Sequence, residues 1–382
     1  MTFFIISCLI TLSWIIVCLF VLVGARCIYS LKNIVPLSAD REPSLDIIIA
    51  VRNEEADLAK ALHSLCHLHY RNYRLIVVND RSTDGTANIL AEFAARYSNI
   101  TVHTITTLPE GWLGKNHAMY SGAGISEGEW ILFTDADVVY QPQALNRAMA
   151  YVLDKKLDNL VVFPDIISRS GMFNAINATF RTILETRLRP WKASDPQSKA
   201  FIGMGAFSMV RRTAYFASGT HDKIRLRPDD DLKLGEQIKQ AGFKQEALYG
   251  DTQLQLEWYT SVPQFVNGLM KNMFSAFGYN AWVAIANAFA VLAALVLPVP
   301  VLLIAGNWPE QIMALVILFF QWISFTFRPA MKAKWWYVFT IPYAGLIMAY
   351  IIFRSTWFTL KHKGIYWRDS FYSLEELRRG YK

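Results

Sequence analysis

A mainly apolar, uncharged run spans 3 to 25; apolar residues then break into short bursts between polar turns as far as about residue 260. They lengthen again at 282–305, 312–327 and 335–353. A run of roughly 20 apolar residues can cross a bilayer as a helix. Short bursts at strand or helix spacing belong to a folded domain. The pattern therefore predicts an N-terminal anchor at 1–26, a domain at 45–260, an interfacial helix at 261–280, a transmembrane region at 281–353 and a basic tail at 354–382.

Within the domain, LDIIIAV at 45–51 reads as a strand buried on both faces. Arg52-Asn53-Glu54-Glu55 follows, then the helical spacing Leu58, Leu62, Leu65. A second strand at 73–78 ends at Asn79-Asp80, and the turn 81–86 opens another helix. Residues 101–105 and 130–134 read as further strands, the last ending at Asp135-Ala136-Asp137. Strands alternating with helices predict right-handed crossovers and a mainly parallel sheet, an α/β fold.

Polar residues cluster where each strand stops, which is the edge where open α/β sheets bind ligands. Asn53, Glu54, Asp80, Asp135 and Asp137 are therefore expected to converge on one crevice. The strand period aims Asp135 and Asp137 at the same face. Two such carboxylates repel unless water or a cation lies between them. No glycine-rich phosphate loop of either common pattern follows a strand, which argues against nicotinamide hydride transfer and P-loop phosphate transfer. A nucleotide held by carboxylates and a divalent cation, Mg²⁺ or Mn²⁺, remains.

Composition sharpens the membrane reading. The chain of 382 residues is 53% apolar, 18% charged and 14% aromatic, with 12 Trp, as suits rings anchored at a bilayer interface. The formal charge of +7 sits near the apolar segments rather than in a nucleic-acid patch, so no nucleic acid is expected as a partner. The four cysteines have neither metal-ligand nor disulfide-framework spacing. His63 and His67 are one helical turn apart, but no acid or Cys completes a metal set there.

Topology follows from the basic residues. The first apolar run lacks the basic start of a cleaved signal peptide. Arg26, Lys32 and Arg41 follow it, placing the N-terminus outside and the next domain in the cytoplasm of a multi-pass protein of the cell (inner) membrane. Four crossings would leave the tail outside, yet it carries Arg354, Lys361, Lys363, Arg368, Arg378, Arg379 and Lys382. Either one segment does not cross fully or the tail is an exception. The run 312–327 is short and Pro342 interrupts the last run, so a cytoplasmic tail is expected.

Five motifs occur in order: VRNEE, VVNDRSTDGT, GWLGKNHA, FTDADV and RPDDDLKLGEQIKQAGF. Together they resemble the family 2 glycosyltransferases of GT-A fold, in particular the membrane-bound branch with the hopanoid-associated and carotenoid glycosyltransferases. Ceramide glucosyltransferases are more distant. The likeness runs from about 45 to 280 and resumes at Gly364-Ile365-Tyr366-Trp367-Arg368.

The resemblance implies inverting transfer of one sugar from a nucleotide-sugar donor, a UDP-sugar in this reading, to a lipid acceptor in the membrane. It implies that Asp80 binds the base and ribose side with Asn53 and Glu54 nearby. Asp135 would support the ribose and sugar, and Asp137 would ligate the metal. Lys115 would meet a phosphate and Trp112 would line the sugar pocket. Gly203 and Gly205 would belong to an acceptor-side loop, with Trp258 also on the acceptor side. In RPDDDLKLGEQ, Asp230 takes a Glu position and Asp231 the base, although three adjacent Asp leave the register open by one residue.

One departure matters. Processive relatives carry Q-x-x-R-W after the base, whereas this chain has Leu254, Glu257 and Trp258. A carboxylate cannot offer a diphosphate the donors of Arg. Lys271-Asn272 stands as a substitute cation source. A processive polysaccharide synthase and a non-catalytic membrane scaffold with a degenerate fold remain as alternatives.

Overall fold

The computed structural model describes the chain apart from Arg368, Asp369 and Lys382; the side chains of Ala39 and Lys271 are also outside it. The end of the GIYWR motif and the possible role of Lys271 therefore lie outside the described residues. The chain divides into two compact units: Met1–Cys27 with Ser168–Arg189 and Trp258–Lys382, and Ile28–Ile167 with Pro190–Glu257.

The second unit is built on ten strands: β1 (Leu45–Val51), β2 (Tyr73–Asp80), β3 (Ile100–Ile105), β4 (Trp130–Thr134), β5 (Val138–Tyr140), β6 (Asn159–Phe163), β7 (Asp165–Ile166), β8 (Ser208–Arg211), β9 (Gln245–Tyr249) and β10 (Leu254–Leu256). Seven form one sheet in the order β3-β2-β1-β4-β8-β6-β9. β1 to β4 run parallel, β8 is antiparallel to both its neighbours, and β6 and β9 are parallel. The expected mainly parallel sheet is present. β5, β10 and β7 make a small second sheet.

β1 is almost wholly apolar because it lies inside the sheet with both faces covered. On one face Ile48, Ile76, Val78, Ile131 and Phe133 pack with Ala118, Met119, Leu234 and Ile238. Each such side chain contributes about 1.5–3 kcal/mol by burial. Those last four residues belong to the helices Gly114–Gly124 and Asp230–Gln240. Core packing thus lays both helices on one sheet face.

The first unit holds three helices long and apolar enough to cross a membrane: Thr2–Arg26, Trp308–Thr326 and Trp335–His362. A fourth apolar stretch, Ala281–Val296 with Pro298–Ile304, bends by 50° and is a broken span or a re-entrant loop. Two sequence expectations change here. Pro342 does not interrupt its segment: it sits in the first turn of the α-helix Ile341–His362, where a missing N–H costs nothing. The interruption falls instead at the π-helical turn Leu292–Val296 followed by Pro298 and Pro300. The run 312–327 is long enough once the helix starts at Trp308.

The helix Gly171–Leu188 groups with the first unit although it lies inside the stretch 45–260. Its Phe173, Ile176 and Phe180 are buried with Phe265, Val266 and Leu269 of the helix Val262–Met273 and with Ile347 and Ile351. The basic tail is also folded: Arg354 and Lys361 belong to the last long helix, and a hairpin leads to the capped helix Leu374–Arg379.

Candidate active site

The sheet register sets the geometry. Ile49 pairs with Thr134 and Val51 with Asn79, so Asp80 and Asp135 leave the sheet at one edge, on either side of β1. Two strand spacings separate those strands by about 10 Å. Asp80 is buried, and Arg81 holds both its oxygens, from Nε at 2.7 Å and Nη2 at 3.0 Å. Arg52 Nη1 stands 3.7 Å away.

The loops after β1 and β2 are fastened together. Asn53, in the left-handed region at φ 54°, accepts the Thr83 N–H on Oδ1 at 2.8 Å. The Glu54 N–H donates to Thr86 Oγ1 at 2.9 Å, and the Gly85 N–H donates to Glu55 Oε2 at 2.9 Å. The side chain of Asn53 is thus engaged in bracing the turn that carries Asp80.

Lys115 joins the elements at the other side of β1. Its Nζ donates to Asp135 Oδ1 at 2.7 Å and lies 3.8 Å from Asp230 Oδ2. Burial alone would lower its pKa, but Asp135, Asp230 and Asp231 outweigh burial and hold it above the usual lysine range. Asp231 accepts the Gly205 N–H on Oδ2 and the Leu232 N–H on Oδ1, both at 2.8 Å. Burial raises both Asp230 and Asp231 above the usual carboxylate range, against the pull of Lys115. Asp230 is buried, whereas Asp231 keeps partial exposure. Asp229 is turned into a bidentate pair with Arg227, at 2.9 and 2.8 Å.

The loop before β8 can approach this cluster only through its glycines. A Cβ on Gly205 would come within 2.7 Å of Asp135 Oδ2. A Cβ on Gly203 would collide with the Asp231 backbone carbonyl.

Asp137 follows at the start of β5. Burial, then the charge of Asp135, pushes its carboxyl up to about 7. Its Oδ1 is buried and has no hydrogen-bond partner. Such an oxygen suits a cation. No group of three or more His, Cys, Asp or Glu is arranged to hold a metal among the described residues, so other oxygen ligands would have to complete any shell.

Acids gather at one edge of a mainly parallel sheet, and residues 46–216 match the family model Glycosyl transferase family 2. Residues 46–216 form a family 2 glycosyltransferase domain. Among curated relatives, the chain is 38% identical over 194 residues to the beta-monoglucosyldiacylglycerol synthase of Nostoc, covering 50% of this chain and 40% of that protein. It is 34% identical over 227 residues to the 4,4'-diaponeurosporenoate glycosyltransferase of Staphylococcus haemolyticus, covering 56% and 58%. The chain spans about half the length of the curated relatives it matches. The fold is similar to that of the mannosyltransferase PcManGT from Pyrobaculum calidifontis, solved with GDP-Man and Mn²⁺, with TM-score 0.58, 17% identity, and 92% and 98% of the two chains covered. The fold is GT-A.

In this glycosyltransferase domain Lys115, Asp135, Asp230, Asp231 and Gly205 come together, with Asp137 adjoining through Asp135. Trp112 packs at the start of the helix Gly114–Gly124, its ring 5.3 Å from His117 and 5.0 Å from Tyr120, under the Arg225 guanidinium. Trp258 belongs to the first unit, where it packs on Phe180 and Phe265. Sequence reasoning missed Arg81 as the partner of Asp80, although the two are neighbours. It also missed the buried His221, which lines a small cavity with Lys115, Asp230 and Asp231. Burial lowers that imidazole to about 3, and its Nδ1 bonds the Tyr215 hydroxyl at 2.8 Å.

Proposed function

We propose that the chain is an inverting glycosyltransferase that moves a single sugar from a nucleotide-sugar, a UDP-sugar in our reading, to a lipid hydroxyl or carboxyl in the membrane. The observation that carries this is the meeting of Lys115 with Asp135, Asp230 and Asp231 at one sheet edge. An inverting displacement needs one carboxylate to take the proton of the attacking oxygen. Asp231 suits that role: two backbone N–H groups fix its orientation, and it keeps partial exposure. Its raised pKa makes it a better proton acceptor than an ordinary aspartate. Lys115 balances the local negative charge and stands ready to face a phosphate.

Asp137, with its buried unpartnered oxygen, would hold Mg²⁺ or Mn²⁺. When bound, the cation neutralises charge on the leaving diphosphate. Asp80 would support the base side, with Asn53 and Glu54 in the adjoining turn and Asp135 toward the ribose and sugar. Gly203 and Gly205 would face the acceptor, with Trp112 as a further donor-side contact.

The lipid acceptor rests on two supports. Three helices are apolar and long enough to span a membrane, and two relatives are named for a diacylglycerol and for 4,4'-diaponeurosporenoate. We place the protein in the cell membrane with the catalytic unit in the cytoplasm, because Arg26, Lys32 and Arg41 follow the first span. The test is mass spectrometry of lipids extracted from cells with and without the protein. A hexose-sized increment on one lipid class supports the reading; a ladder of polysaccharide products, or no change with the protein abundant, opposes it.

A further inference from the structure

Asn116 follows Lys115 and is fully buried. Its Nδ2 lies 2.7 Å from the Ile224 carbonyl, 3.2 Å from that of Arg225 and 2.9 Å from that of Arg227. The Leu113 N–H also donates to the Arg225 carbonyl at 2.9 Å. These bonds fasten the segment that holds Lys115 to the segment that leads into Asp229, Asp230 and Asp231. Non-helical carbonyls inside a protein need donors, and one side-chain amide meets three of them here. The Oδ1 of the same amide is buried without a partner, so the residue serves through its donors.

We propose that Asn116 is a positioning residue that sets the spacing between Lys115 and the Asp230–Asp231 pair. No reacting group touches it; it acts on both sides of the 3.8 Å gap between Lys115 Nζ and Asp230 Oδ2. Substitution by Asp would place a carboxylate among three carbonyl oxygens. Substitution by Leu would take the side-chain donor from all three, leaving the Ile224 and Arg225 carbonyls only their backbone N–H partners, from Arg227 and Leu113. The inference rests on the reading of Lys115 and the acids as the reacting cluster.

The experiment measures sugar transfer by the full chain in membranes for Asn116→Ala, Lys115→Met and the double variant, with thermal unfolding as a control. Asn116→Ala is expected to lower kcat roughly 10- to 100-fold while the donor KM stays within about twofold, as for a group that positions others. The double variant is expected to be no slower than Lys115→Met alone, since residues acting as a unit are not additive. If Asn116→Ala does not fold, Asn116→Ser, which keeps one hydroxyl donor, is read in its place. An unchanged kcat, or a loss that multiplies with that of Lys115→Met, overturns the proposal. If Lys115→Met itself leaves kcat unchanged, the reacting-cluster reading fails and this inference with it. If Lys115→Met is slow and Asn116→Ala is not, the positioning role alone fails.

Discussion

The Lys115 ammonium donates to Asp135 at 2.7 Å, tying the start of the helix Gly114–Gly124 to the end of β4. It also lies 3.8 Å from Asp230 and lowers the pKa of both Asp230 and Asp231. Removing it leaves the acids facing one another. Lys115→Met is therefore expected to lower stability by about 1–3 kcal/mol at pH 8, less than a fully dry pair because the side chain keeps 28% exposure. The loss should shrink at pH 5, where carboxyls with raised pKa values take up protons. Thermal unfolding at the two pH values checks this; a loss independent of pH contradicts it.

Gly205→Ala should be far more damaging than its size suggests. The new methyl would stand 2.7 Å from Asp135 Oδ2 and push away the N–H that orients Asp231. The expected result is a fall in kcat on the order of 100-fold, as for a small displacement at a reacting centre. Initial rates with saturating donor measure it, and near-normal turnover would show that the loop does not position the acid.

Asp137 gives a pH-dependent prediction. Burial and the charge of Asp135 push its pKa in the fold up to about 7, above the ordinary aspartate value of 3.8, so the protonated form is favoured in the fold. Whatever stability this carboxyl preserves at low pH is lost as pH rises through about 7. In chelator-treated protein, Asp137→Asn should raise the melting temperature at pH 8 and leave it nearly unchanged at pH 4. The same variant should bind Mn²⁺ with donor more weakly by calorimetry. A lower melting temperature at pH 8, or intact metal binding, refutes the assigned role.

The register among the three adjacent acids is also testable. Asp229 is gripped by Arg227, whereas Asp231 is held by backbone N–H groups near Lys115. Asp229→Asn should cost about 1–2 kcal/mol of stability, the worth of a partly buried charged pair, with turnover within about threefold. Equal loss of turnover from Asp229→Asn and Asp231→Asn would contradict this assignment.

Much of the sheet was legible because β1, β2 and β4 announce themselves as apolar runs, and their ends carry the acids. The meeting of Lys115 with Asp135 and Asp230 was not legible from periodicity. The residues are 20 and 115 positions apart, and only helix packing on the sheet brings them together. The role of Asn116 was hidden for the same reason, since its carbonyl partners lie 108 to 111 residues away. Local sequence also misplaced the break in the apolar region. Pro342 falls where a helix begins and is harmless, while Pro298 follows a π-helical turn and marks a bend. The grouping of the helix Gly171–Leu188 depends on partners near 265 and 347, which its own pattern does not reveal.

The central claim is that Asp231 takes the acceptor's proton. The direct measurement is the rate of sugar transfer to lipid in membranes bearing Asp231→Asn, with donor affinity measured on the same preparation. The account predicts a fall of about 100-fold or more in kcat with donor affinity nearly unchanged, because the amide keeps the shape but cannot act as a base. Turnover at the normal rate by folded Asp231→Asn protein would contradict it.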